Sequence, residues 1–189
     1  GFPTTGFDTD AAHVTELNNG RDKNGEVSTA SLQASKARFT HDAAELKTCT
    51  VFIIAVPTPI TDAKKPDLAP LRGACAMIAP VLKPGDLVIV ESTVYPGVTE
   101  EVCGPALSAG SGLKAGTQIK LAYSPERVNP GDAEHSMENV IKIIAAQDAE
   151  TLDRVEAIYA PVVKAGLHRA SSIATMASCI SLEILSIGT

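Results

Sequence analysis

The chain has 189 residues, 44% hydrophobic and 20% charged, which is the composition of an ordinary globular protein long enough to bury a core. A formal net charge of −6 with no basic block argues against a nucleic-acid partner, and no apolar run reaches the roughly 18 residues of a membrane-spanning helix, so no membrane association is expected. Aromatic residues make up 4% and Trp is absent, so the core must be built from Val, Ile, Leu and Ala, which suits a parallel sheet covered by helices.

Residues 2–7, "FPTTGF", read as a strand that ends at Asp8, and Ala11, Val14 and Leu17 then follow at helical spacing up to the stop signal Asn18-Asn19-Gly20. "RDKNGEVSTASLQAS" is a polar connection with room for a short helix. The unbroken apolar run from Val51 to Val56 predicts a strand buried on both faces. Leu68, Leu71, Cys75, Ile78 and Leu82 recur at three- and four-residue steps, predicting a helix from Asp67 to Leu82 ended by Lys83-Pro84-Gly85. Leu87–Glu91 reads as another buried strand, and "PGVTEEVCGPALSA" as a helix with Pro96 near its start. "IKLAYSPE" and "VIKIIAA" are strand candidates, and "AETLDRVEAIYAPVV" is an amphipathic helix.

Alternating strands and helices imply an α/β, Rossmann-like doubly wound parallel sheet joined by right-handed crossovers. The four cysteines, Cys49, Cys75, Cys103 and Cys179, show no C-x-x-C spacing, so no metal site is expected, and a reduced, cytoplasmic protein is the simplest reading. Cys49 and Cys75 lie in apolar runs and read as small buried hydrophobes.

In doubly wound sheets ligands bind beyond the carboxyl ends of the strands, so the residues where strands stop carry the information. An acid placed as Asp8 is accepts hydrogen bonds from an adenosine ribose and repels a 2′-phosphate, favouring NAD over NADP; alternatively Asp8, Thr9 or Asp10 caps the following helix. "VPTP" stiffens the chain around Thr58, either as an ordinary turn or to present its hydroxyl and N–H to a ligand. Glu91 follows four apolar residues and, if buried, needs a partner; Ser92 and Thr93 offer hydroxyls at the sheet edge. "SPERVNPGD" puts two prolines, a glycine, Glu126, Arg127, Asn129 and Asp132 into nine residues, either a rigid surface turn or a recognition loop whose Glu126 serves as an acid/base group.

Together and in this order, "GFD", "NNGRDKNGEVS", "VFIIAVPTPI", "LKPGDLVIVESTVYPGVTEEVC", "YSPERVNPGD" and "AGLHRASSI" resemble the UDP-glucose/GDP-mannose dehydrogenase family, in particular its UDP-N-acetylmannosamine and UDP-N-acetylgalactosamine 6-dehydrogenases. The resemblance implies two successive NAD-dependent oxidations of the C6 alcohol of a UDP-N-acetylhexosamine to the uronic acid, through a cysteine thioester, for polysaccharide precursor synthesis. By the family's pattern Asp8 would bind the ribose, Val56, Pro57 and Thr58 would line the cofactor cleft, and Glu91, Ser92 and Thr93 would lie near the nicotinamide. Thr93 and Glu126 would handle the catalytic water, while Glu126, Arg127, Val128 and Asn129 would line the sugar site. A homodimer is implied for the full-length enzyme.

The family's first strand and glycine loop would precede residue 1, and its catalytic Lys, Asn and G-x-C cysteine have no match here. Residues 1–168 are therefore expected to be an incomplete NAD-binding domain and residues 169–189 part of the central connecting helix, with the UDP-binding domain outside the sequence. Cys179, in the apolar "MASCISLEIL", is read as structural and not as the nucleophile. The tail is either an altered or truncated helix or two stretches joined across omitted residues. On their own the 189 residues are expected not to turn over. Two rival functions are a non-catalytic nucleotide-sugar-binding remnant and a 3-hydroxy-acid dehydrogenase of similar fold.

Overall fold

The computed structural model describes residues 2–25, 27–126 and 140–176. It contains two compact units, Gly1–Thr48 and Cys49–Thr189. In the first, β1 (Thr5–Phe7) and β2 (Arg38–Thr40) pair in parallel, with α1 (Ala11–Asn18) and α2 (Thr29–Ala34) between them in sequence and a 3₁₀ turn at Ala43–Thr48 after them. The strand expected over residues 2–7 starts only at Thr5: Pro3 offers no N–H, and the Thr4 hydroxyl donates to the Phe2 carbonyl. Gly6 is required by close approach, because a Cβ there would come within 2.6 Å of the Phe39 ring, its register partner. α1 ends at the expected Asn-Asn-Gly signal, with Gly20 at φ 74° and its N–H on the Leu17 carbonyl. The strand at Arg38–Thr40 carries no pattern in sequence; three residues are too few for alternation to show.

In the second unit five strands lie in the order β3 (Val51–Ile54), β4 (Leu87–Val90), β5 (Lys120–Tyr123), β6 (Lys142–Ala146), β7 (Leu167–Arg169). The Rossmann-type α/β class expected from the sequence is present, with one departure. β3, β4 and β5 are mutually parallel, but β6 runs antiparallel to β5, and β7 is parallel to β6. Helices cover the sheet: α3 (Ala69–Ile78), α4 (Gly104–Ser111) and α5 (Ala149–Tyr159). One core cluster joins Leu87, Ile89, Ala122 and Ile144 of the sheet to Val155 and Tyr159 of α5. No helix among the described residues is long and apolar enough to cross a membrane.

Local chemistry trims the expected helices. The pattern from Asp67 to Leu82 is α-helical only to Ile78; Pro80 withholds an amide, and Ala79–Val81 tightens to a 3₁₀ turn. α5 stops at Tyr159, two residues before Pro161. The segment after Pro96 starts from Gly97 at φ 90° and runs as a π-helix, Val98–Cys103, before becoming α4. β3 corrects a second expectation. Its side chains alternate, with Phe52 and Ile54 buried and Ile53 46% exposed, so the strand is buried on one face and not on both. Asp148 caps α5, accepting the Thr151 N–H at 2.7 Å. Asp148→Ala is expected to remove about 1 kcal/mol and lower the melting temperature by roughly 2–4 °C, as read by thermal denaturation.

Candidate active site

The parallel run of β3, β4 and β5 brings three chain segments out at one edge of the sheet, and hydrogen bonds join them there. The Glu91 and Ser92 N–H groups donate to the Ile54 carbonyl at 2.8 and 3.3 Å, the Ser92 hydroxyl to the Val56 carbonyl at 2.7 Å, and the Thr58 hydroxyl to the Thr93 carbonyl at 2.8 Å. On the other side of β4 the Ser124 N–H donates to the Val90 carbonyl at 2.9 Å and the Glu126 N–H to the Glu91 carbonyl at 3.1 Å. Val56, Pro57, Thr58, Glu91, Ser92, Thr93 and Glu126 are thus gathered at the carboxyl ends of adjacent strands, as the sequence expects. Their exposures differ. Pro57 and Thr93 are exposed, Val56, Thr58 and Glu126 half-buried, Glu91 and Ser92 buried. With its hydroxyl on Val56, Ser92 braces the two loops.

Glu91 turns inward. Its side chain is 9% exposed, and its Oε1 accepts the Tyr159 hydroxyl at 2.6 Å and meets the Lys142 ammonium at 3.0 Å. Lys142 is itself 5% exposed; its Nζ also lies 3.4 Å from Glu126 Oε2 and from the Ser124 carbonyl, and 5.0 Å from the centre of the Tyr159 ring. The partner that a buried Glu91 requires is therefore present twice, as a cation and as a hydroxyl. Burial first, and then the negative charge of Glu91, push the Tyr159 phenol above its ordinary range, which keeps it a donor. Lys142 and Tyr159 escape a reading of the sequence, because in "VIKIIAA" a lysine reads as a solvent-facing strand residue and Tyr159 as one more apolar position of a helix.

In the first unit the alternatives for Asp8 separate. Asp10 is the cap of α1: its Oδ1 accepts the Ala12 and His13 N–H groups at 3.0 and 3.1 Å, and Lys23 sits on its Oδ2 at 2.7 Å. The Lys23 ammonium and the His13 N–H hold the Asp10 carboxyl at about 2, so the cap stays ionised. Asp8 follows Phe7 of β1, with its N–H on the Thr40 carbonyl; its Oδ1 accepts the Asp10 N–H at 2.8 Å, and its Oδ2 lies 3.3 Å from His13 Nδ1. The Asp8 carboxylate is 43% exposed at the end of the strand.

Arg127, Val128 and Asn129, expected at the sugar site, lie outside the described residues, as does Cys179. Cys75 and Cys103 are fully buried; the hydrogen bond between their thiols, with burial, pushes Cys103 well above the usual thiol range. Cys49 is half-buried, against the expectation of full burial: it lies in the connection before β3, outside the strand, and its carbonyl accepts the Lys83 ammonium at 2.8 Å. Among the described residues no group of three or more His, Cys, Asp or Glu side chains is placed to hold a metal ion. An open pocket of about 500 Å³ between α4 and the loop at Ser171 and Ser172 contains none of the candidate residues.

A family profile described as "UDP-glucose/GDP-mannose dehydrogenase family, NAD binding domain" matches residues 1–163. The UDP-N-acetyl-D-glucosamine 6-dehydrogenase of Pseudomonas aeruginosa is 46% identical over 169 residues, 89% of this chain and 40% of that one. Protein CapL of Staphylococcus aureus is 45% identical over 168 residues, with the same coverage of 89% and 40%. Among solved structures, the UDP-D-ManNAc dehydrogenase of Pyrococcus horikoshii superposes with a TM-score of 0.81 at 30% identity, covering 92% of this chain and 42% of that one. The NDP-N-acetyl-D-galactosaminuronic acid dehydrogenase of Methanosarcina mazei gives 0.86 at 27%, covering 96% and 41%. The chain spans about 40% of the length of the curated relatives it matches. On this evidence the chain belongs to the UDP-glucose/GDP-mannose dehydrogenase family, as its NAD-binding domain.

Proposed function

We propose that the chain is the cofactor-binding part of an enzyme that oxidises the C6 alcohol of a UDP-N-acetylhexosamine to the carboxylate in two NAD-dependent steps. The observation that supports this most directly is the sheet edge at which β3, β4 and β5 gather Thr58, Thr93 and Glu126. Two relatives, at 46% and 41% identity, are named UDP-N-acetyl-D-glucosamine 6-dehydrogenases, which makes UDP-N-acetyl-D-glucosamine the first substrate to test.

The residues present suit the cofactor: an exposed, ionisable Asp8 at a strand end for the ribose, and the exposed Pro57 and Thr93 beside Val56 and Thr58 for the nicotinamide side. NAD⁺, when bound, supplies the hydride acceptor. The protein's own part is positioning, with Thr58 and Ser92 fixing the two loops so that the substrate's C6 is held in line. Glu91 and Ser92 serve this edge as anchors, since their side chains are committed to Lys142, Tyr159 and Val56. Thr93 offers a hydroxyl to the water that hydrolyses the thioester, and Glu126 takes that water's proton. Cys75 and Cys103 are too buried to supply the thiol of the second oxidation, and the 189 residues on their own are expected not to turn over.

The test is calorimetry with NAD⁺ and with UDP-N-acetyl-D-glucosamine, beside an NADH absorbance assay, on the complete encoded protein that carries this chain. Two NADH per sugar are expected; binding of both ligands without NADH would replace the enzyme by a binding remnant. In the same protein Asp8→Ala is expected to raise the KM for NAD⁺ about tenfold, one charge-assisted hydrogen-bonded contact, and to relax discrimination against NADP⁺. An unchanged cofactor profile would leave Asp8 only its local bonds to Asp10 and His13.

A further inference from the structure

The reversal of β6 has a chemical outcome. In a fully parallel sheet the first residue of β6 would lie at the amino end of its neighbours, away from the ligand edge. Because β6 runs antiparallel, its first residue, Lys142, comes to the carboxyl end of β5. The register is explicit: Tyr123 faces Ala145 and Ala122 faces Ala146, and its continuation sets Lys142 opposite Glu126. An ammonium buried to 5% exposure is costly unless each of its three protons is met. Here they are met by Glu91 Oε1 at 3.0 Å, Glu126 Oε2 at 3.4 Å and the Ser124 carbonyl at 3.4 Å, while the Tyr159 ring lies 5.0 Å away.

The two carboxylates are not equivalent. Glu91 is 9% exposed and held from two sides, by Lys142 and by the Tyr159 hydroxyl. Glu126 is 35% exposed, and its Oε2 faces the ammonium. Glu91 and Tyr159 thus fix where the ammonium stands, and the ammonium fixes Glu126. The Glu126 N–H on the Glu91 carbonyl, at 3.1 Å, ties the same two residues through the backbone.

We propose that Lys142 is a positioning residue for the reaction, which with Glu91 and Tyr159 holds the Glu126 carboxylate in its working orientation at the sheet edge. The proposal rests on the acid/base reading of Glu126. Lys142 touches no substrate; it acts through Glu126, so its removal should matter only while Glu126 is a carboxylate.

A double-mutant cycle on the complete encoded enzyme tests this. The variant Glu91→Gln/Lys142→Met removes both buried charges together and keeps an acceptor for the Tyr159 hydroxyl. It is expected to bind NAD⁺ with an unchanged Kd and to lose roughly 10- to 100-fold in kcat, the scale of a small misplacement of a reacting group. The same two substitutions in a Glu126→Gln background are expected to cause no further loss. If the variant folds poorly, Lys142→Arg, which keeps the charge but moves it from the ammonium's place, enters the same cycle with the same expectation. An unaltered kcat, or a loss by the same factor in both backgrounds, overturns the proposal. A Glu126→Gln enzyme as active as the original would instead remove the reading on which it rests.

Discussion

Glu126→Gln is expected to lower kcat of the complete enzyme by roughly 10²- to 10⁴-fold, the range a positioned proton acceptor contributes, with little change in the Kd for NAD⁺. Gln keeps the size of the side chain and one oxygen for Lys142, but it takes no proton from a water. The backbone that carries it is independent of the carboxylate, since the Glu126 N–H is held by the Glu91 carbonyl and the preceding Ser124 by the Val90 and Ile143 carbonyls. A loss in kcat therefore reports chemistry and not a displaced loop. If Glu126 serves thioester hydrolysis, both NADH should still form in a single turnover, because both oxidations precede that hydrolysis, and release of the uronic acid should stall. Stopped-flow absorbance at 340 nm, a property of NADH, beside quenched-flow analysis of the uronic acid separates oxidation from hydrolysis. A uniform rise in KM with kcat intact would assign Glu126 to substrate binding instead.

The parts of this molecule that a sequence shows are those written as runs and periods. Leu87–Val90 reads as a buried strand and is wholly buried; Leu71, Cys75 and Ile78 share the buried face of α3. The strand ends were legible for the same reason, because a polar residue directly after an apolar run marks the place where a parallel strand meets solvent. What stayed hidden depends on partners distant in sequence. Nothing near Lys142 tells that β6 is reversed, and it is the reversal that converts a surface-looking lysine into the counter-ion of Glu91. Ile53 fails in the opposite direction, since an apolar run does not tell a strand covered on one face from one covered on both. Asp8 and Asp10 were interchangeable as caps until the hydrogen bonds of Ala12 and His13 chose Asp10.

Glu91→Ala is expected to destabilise the protein by about 3–5 kcal/mol, as when one partner of a buried ion pair is removed. The substitution leaves the Lys142 ammonium in the interior with Glu126 at 3.4 Å as its remaining carboxylate, and it takes the acceptor away from the Tyr159 hydroxyl. At roughly 2–4 °C per kcal/mol for a domain of this size, the melting temperature should fall by about 6–20 °C. Glu91→Gln/Lys142→Met should fall by much less, because replacing both charges leaves neither ion stranded. If Glu91→Ala melts with the unaltered protein, the buried pair contributes nothing and Glu91 is free for another role. Tyr159 adds a dependence on alkali. Its phenol is raised in the folded state, so its contribution is complete below the ordinary value of 10 and is lost as pH climbs above it, where the unfolded chain ionises and the folded one resists. Tyr159→Phe should therefore flatten the fall in stability above pH 10, while Glu91→Ala, which removes the charge that helps hold the proton on Tyr159, should flatten it in part.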